Sequence, residues 1–271
     1  MDEKLIFISG SISIKYLPED VTKELDKIIE NKYHVLVGDA KGVDSLVQKY
    51  FKEKNYKNVS VVTVCGKPRN LLDKDFKVIN VDVPENYGSN KRELFMVKDK
   101  WMAEKANYFL VIWDGKSKGS FNNIINGIRQ NKDVNVYLLP EKKFVSKENI
   151  KEEFIRDIYI KNEGYTVKEI YEILKKEFNI KNKNEIVDKM EELEIIKKEK
   201  NKIVPNEKYK NYIKVKNYKG YKTYKYLPNI LEILRASFKN KESKTQPNKN
   251  KHKNETYDNA PLFKCINNSS K

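Results

Sequence analysis

Three short clusters carry the residue types from which a small-molecule site could be built: Ser9-Gly10-Ser11, Gly38-Asp39-Ala40-Lys41-Gly42-Val43-Asp44 and Asp114-Gly115-Lys116-Ser117-Lys118-Gly119-Ser120. Glycine lets a backbone approach a ligand closely, and hydroxyls and free amides at a helix start attract anions. Asp39 and Asp44 can accept hydrogen bonds from ribose hydroxyls or a base, while Lys116 or Lys118 can meet negative charge. Each cluster alone also reads as a simple strand-to-helix turn, and Asp44 as a first-turn carboxylate set against a helix dipole. The third cluster lacks the Gly-x-x-x-x-Gly-Lys-Ser/Thr order, which excludes a P-loop NTPase. Taken together, the predicted ligand-binding set is Ser9, Gly10, Ser11, Gly38, Asp39, Lys41, Gly42, Asp44, Asp114, Gly115, Lys116, Ser117, Gly119 and Ser120. Arg69, Lys91 and Arg92 could clamp phosphate or be merely solvated. Cys65 reads as a strand-end residue rather than a nucleophile, because no histidine is placed to activate it.

These clusters fall where apolar runs end. Leu5-Ile-Phe-Ile8, Tyr33-His-Val-Leu-Val37, Val59-Ser-Val-Val-Thr-Val64 and Tyr108-Phe-Leu-Val-Ile-Trp113 read as buried strands, with a further strand at 134–139 and a short one at 77–83. Helical spacing is predicted over 20–30, from 43 onward, over 93–105 and over 122–130. Strands alternating with helices predict a Rossmann-like α/β fold, a mostly parallel sheet with helices on both faces. In such sheets ligands bind beyond the carboxyl ends of the strands.

After Pro140 the chain turns to charged amphipathic helices. Thr166 is placed to cap a helix carrying Val167, Ile170, Ile173 and Leu174, and another is predicted over 183–193. Residues 195–204 suggest two short strands around a polar turn. Helix, helix and ribbon outline a small winged-helix domain or a generic helical appendage. The basic, tyrosine-rich stretch 208–226 fits a base-stacking surface or a strand pair packed on those helices, the second being favoured. The expected division is a nucleotide-binding domain over 1–142, a helical domain over 150–235 and a disordered basic tail over 239–271.

Composition narrows the function classes. Formal net charge is +16, with 23 Lys/Arg against 19 Asp/Glu in residues 1–140 and 32 against 20 in residues 141–271. The basic half could meet DNA phosphates, or its lysines could simply solvate the surface. Two cysteines and two histidines provide neither a disulfide framework nor a tightly bound transition metal. No cofactor is expected. No apolar run is long enough for a membrane span, so a cytoplasmic protein without a membrane partner is predicted, with homo-oligomerisation open.

Ile8-Ser-Gly-Ser11, Val37-Gly-Asp-Ala-Lys-Gly-Val-Asp44 and Met102-Ala-Glu-Lys-Ala-Asn-Tyr108, followed by Ile112-Trp-Asp-Gly-Lys-Ser-Lys-Gly-Ser120, resemble the SLOG superfamily of Rossmann-like nucleotide-binding domains. More narrowly they resemble its YspA-like branch, often associated with phages or mobile elements. The resemblance spans about residues 4–140 and implies a nucleotide-derived ligand. More distant likeness extends to LOG phosphoribohydrolases and to DNA-processing protein A. In the phosphoribohydrolase motif Pro-Gly-Gly-x-Gly-Thr-x-x-Glu the glutamate supports glycosidic cleavage, but Asn123 stands at that position here, and an amide cannot act as a carboxylate base. The leading expectation is therefore a nucleotide or nucleoside sensor or regulator of mobile-element or defence type. A DNA-binding protein and an N-glycosidic-bond hydrolase are the alternatives.

Overall fold

The computed structural model describes residues 4–64, 66–84, 91–199, 202–218 and 221–245. Cys65, Cys265, the side chains of Lys91 and Arg92, and the tail from residue 246 onward lie outside the described residues. Among the described residues no helix is long and apolar enough to cross a membrane.

A seven-stranded sheet forms the centre, made of β1 (Leu5–Gly10), β2 (His34–Val37), β3 (Val59–Thr63), β4 (Lys77–Asn80), β5 (Tyr108–Trp113), β6 (Asp133–Leu138) and β7 (Lys143–Phe144). The strand order is β4-β3-β2-β1-β5-β6-β7. The first six pair in parallel, and only the two-residue edge strand β7 runs antiparallel to its neighbour. This is the Rossmann-like α/β arrangement that the alternation predicts, with β1 and β5 adjacent at the point where the strand order reverses.

Side-chain alternation explains why both faces must be covered. Ile6 and Ile8 enter one core with Val35, Val37, Val59 and Val61, while Phe7 enters the other with Phe109 and Val111. Helices α1 (Glu19–Glu30) and α2 (Val43–Glu53) cover the first face through Val21, Leu25, Val47 and Phe51. Helices α3 (Lys91–Lys105) and α4 (Lys118–Arg129) cover the second through Met102, Ala103, Phe121 and Ile124. A strand buried on both faces reads as a continuous apolar run, as in Tyr108-Phe-Leu-Val-Ile-Trp113.

Helix α4 begins four residues earlier than its apolar spacing suggests. Ser117 is its N-cap, accepting from the Ser120 amide, so Gly119 and Ser120 form the first turn instead of a loop. Helix α5 (Glu152–Glu163) also packs on this core, with Ile155 fully buried and the Tyr159 ring stacked 4.4 Å from Phe121. Glu152 bridges Arg129 and Arg156 at 2.7 and 2.6 Å. The first core thus reaches to Tyr159.

A separate apolar cluster holds the remainder together. It is formed by α6 (Val167–Leu174), α7 (Lys183–Glu192), the ribbon β8 (Ile196–Glu199) and β9 (Lys202–Pro205), a second ribbon β10 (Ile213–Tyr218) and β11 (Tyr221–Tyr226), and α8 (Pro228–Thr245). Thr166 and Glu169 close a capping box at the start of α6. Helix, helix and ribbon occur in the expected order, but Ile213, Tyr226, Ile230 and Leu234 of the following elements complete the core. The helix α8 runs through Thr245, seven residues into the stretch read as tail. The tyrosine-rich stretch is the antiparallel pair β10 and β11, with Tyr226 buried against the helices.

Candidate ligand-binding site

The three clusters converge because β1, β2 and β5 are neighbours and end on the same side of the sheet. At the end of β1, Gly10 packs so tightly that a Cβ there would lie 2.4 Å from the Ile112 carbonyl oxygen. Ser11 is fully buried, and its hydroxyl accepts from the Asp114 amide at 3.1 Å and lies 3.4 Å from the Ser120 hydroxyl. These contacts join the first loop to the third. Ser9 differs, for its hydroxyl is buried without a hydrogen-bond partner.

After β2 the chain turns at Gly42, whose φ of +76° favours glycine. A Cβ there would also fall 2.6 Å from the Ile12 backbone, so the first two loops touch. Asp39 is 1 % exposed. It pairs with the Arg69 guanidinium at 2.6 Å and accepts from Thr63 and the Arg69 amide. Burial pushes its carboxyl up, but the Arg69 bonds and the Lys98 charge outweigh this and hold it below the usual carboxylate range. Asp44, in the first turn of α2, accepts from the Ala40 amide at 3.1 Å. Burial raises its carboxyl to about 6, against the opposing pull of Lys98. Lys98 itself is 3 % exposed and pairs with Asp99 at 2.8 Å. Desolvation would lower its ammonium, yet Asp99, Asp44 and Asp39 together keep it above its ordinary value.

Following β5, Asp114 accepts from Ser13 at 2.6 Å and from the Lys116 and Ser117 amides at 2.9 and 2.8 Å. Burial is again outweighed by these donors, and the carboxyl is held low. The chain's own carboxylate thus occupies amides that a phosphate could have used just ahead of α4. Gly119, by contrast, has nothing within 4 Å of the place a Cβ would occupy.

Between these loops and α3 lies a cavity of about 460 Å³, within the usual range for small-molecule sites. Of the predicted residues, Ser9, Gly10, Gly38, Asp44, Asp114, Ser117, Gly119 and Ser120 line it. Ser11 and Asp39 stand behind it and brace the lining, and Gly42 shapes the turn. Lys41 and Lys116 are exposed and do not line the cavity, and Gly115 is buried against Asn162. Arg69 is part of the wall, with its guanidinium 3.9 Å from the Phe95 ring centroid.

Helix α3 supplies what the sequence pattern did not indicate: Phe95, Met96, Lys98, Asp99 and Met102 form one wall. Their only signal is that Lys98 sits one helical turn before Met102, on the face that meets the sheet. Asn123, the residue in the phosphoribohydrolase glutamate's position, is buried and lines the cavity. An amide-rich groove of about 280 Å³ continues from there past Asn122, Asn126 and Gln130.

No protein-family model and no curated protein sequence matches this chain. Among solved structures, it is similar to DNA processing protein A from Helicobacter pylori, described for its single-stranded DNA binding mode, at 14% identity and a TM-score of 0.38. That match covers 49% of this chain and 64% of the other. It is also similar to DNA processing protein A from Streptococcus pneumoniae, at 17% identity and a TM-score of 0.36, over 49% of this chain and 50% of that one. The chain therefore spans less than two thirds of either protein.

Proposed function

We propose that the cavity beyond β1, β2 and β5 binds a nucleotide or nucleoside-derived small molecule, and that the protein is a sensor or regulator of the SLOG type, in its YspA-like branch. The observation that carries this reading is the convergence of all three loops and α3 on one concave site. There, buried carboxylates, an ammonium and unengaged polar groups surround apolar side chains. Such a site suits a ligand with both a flat apolar body and several hydroxyls. Thermal unfolding with nucleosides, mono-, di- and triphosphates, cyclic nucleotides and nucleotide-ribose compounds tests it. A saturable rise in midpoint is expected for at least one of them, and no rise across the set refutes the reading.

A second reading assigns DNA to the basic C-terminal part, favoured by seven lysines against one glutamate in residues 207–226. The helix α7, which a winged-helix domain would lay against DNA, bears four acidic and two basic residues, so the exposed Lys208, Lys210 and Lys222 make the better candidate surface, Lys214, Lys216 and Lys225 being engaged with α5. Oligonucleotide binding that weakens steeply with salt would support this reading, and weak binding with a flat salt response would exclude it.

A further inference from the structure

We infer that the floor of the cavity is a reading site for the edge of a nucleobase, formed by the Ser9 hydroxyl and the Asn123 amide. This rests on the proposed ligand class and adds which end of the ligand enters and which residues recognise it.

Ser9 is 5 % exposed and lines the cavity, yet its Oγ has no hydrogen-bond partner. Buried hydroxyls are nearly always paired, so an unpaired one in a cavity wall is a group that a ligand atom can satisfy. Asn123 is equally buried and lines the same cavity.

Both follow a contact between the strand end and α4. Ser11 on the chain after β1 and Ser120 on α4 approach to 3.4 Å. Stepping back two residues along the strand covers about 6.6 Å and reaches Ser9 on the same side. Stepping on three residues along α4, which runs back over the sheet, covers about 4.5 Å and reaches Asn123. A hydroxyl that can donate or accept, in the same cavity as an amide that does both, matches the mixed donor and acceptor edge of a purine or pyrimidine. Phe7 and Met102, both buried and both facing the cavity, provide apolar contact for the ring. The carboxylates of Asp44 and Asp114 lie at the loop end, where the sugar hydroxyls would then be.

Calorimetric titration of adenosine, guanosine, cytidine, uridine and ribose 5-phosphate against the wild type, Ser9→Ala and Asn123→Ala tests the inference. At least one nucleoside binds the wild type, and each variant weakens it about tenfold. Ribose 5-phosphate binds more weakly and is indifferent to both changes. The thermal midpoint of Ser9→Ala stays level or rises, since a buried unpaired hydroxyl has been removed, whereas a merely structural serine would lower it. Nucleoside binding unaffected in either variant, or ribose 5-phosphate binding as tightly as the nucleosides, overturns the base-reading floor while leaving the ligand class intact. Failure of every nucleoside here, and of every nucleotide in the thermal-unfolding set, to bind the wild type overturns both.

Discussion

Gly38 and Asp44 pack so closely that a Cβ on Gly38 would stand 2.3 Å from Asp44 Oδ2. The same Cβ would lie 2.7 Å from Lys98 Nζ, so the missing side chain is what brings a carboxylate and an ammonium together over the end of β2. Replacing Gly38 with alanine should therefore cost about 1–3 kcal/mol through overpacking. Urea unfolding measures the loss, and an unchanged midpoint would show that the two charges can separate freely.

Asp44 makes the stability of the fold depend on pH. Its carboxyl titrates at about 6 when folded, raised chiefly by burial, against about 3.9 in an unfolded chain. The protonated form is thus favoured by folding, and its contribution is complete below about pH 4 and lost as pH rises through 6. Asp44→Asn should gain up to about 3 kcal/mol on the wild type between pH 4 and pH 7.5. Unfolding free energies of both proteins at the two pH values decide the matter, a pH-independent difference being the contrary result.

The Asp39 and Arg69 pair should show strong coupling. Asp39 is deeply buried, whereas Arg69 is partly open to solvent, so solvent screening reduces the effect. Arg69→Met leaves the carboxylate without its paired, hydrogen-bonding guanidinium and should destabilise by about 2 kcal/mol. Asp39→Asn added to it should recover most of that loss. A double-mutant cycle reads the coupling, and simple additivity would contradict it.

The three loops were legible because strands buried on both faces leave unbroken apolar runs, and the small or acidic residues after each run mark the sheet's ligand-facing end. The start of α4 was not. Gly119 is a poor helix former, and only the Ser117 cap, a contact with Ser120, shows the helix beginning there. Lys98 was hidden for a different reason. A lysine in a helix ordinarily reads as surface, and its burial is offset not only by its neighbour Asp99 but by Asp39 and Asp44 from the chain after β2. The helix α8 is not legible in the sequence because its last two turns are rich in Lys, and its apolar face, with Ile230, Leu234 and Phe238, pairs with elements distant in sequence.

The second unit is tied to the first near the third loop. Lys214 donates to the Asn162 carbonyl, Lys216 pairs with Glu163, and Lys225 lies 5.2 Å from the Tyr159 ring centroid. Gly115 abuts Asn162 from the other side, a Cβ there falling 2.9 Å from its side-chain nitrogen. A ligand that orders the third loop should slow amide exchange at the end of α5 and in β10 as well. Exchange confined to the loop would show that the two units do not communicate by this route.

Occupation of the strand-end cavity by a nucleoside-type ligand can be probed at Gly119, where a side chain can be added with nothing to strike. Calorimetric titration of nucleosides and nucleotides into the wild type and Gly119→Leu should give saturable binding in the first and none in the second, with the thermal midpoint retained. Equal binding by both proteins, or none by the wild type, would contradict it.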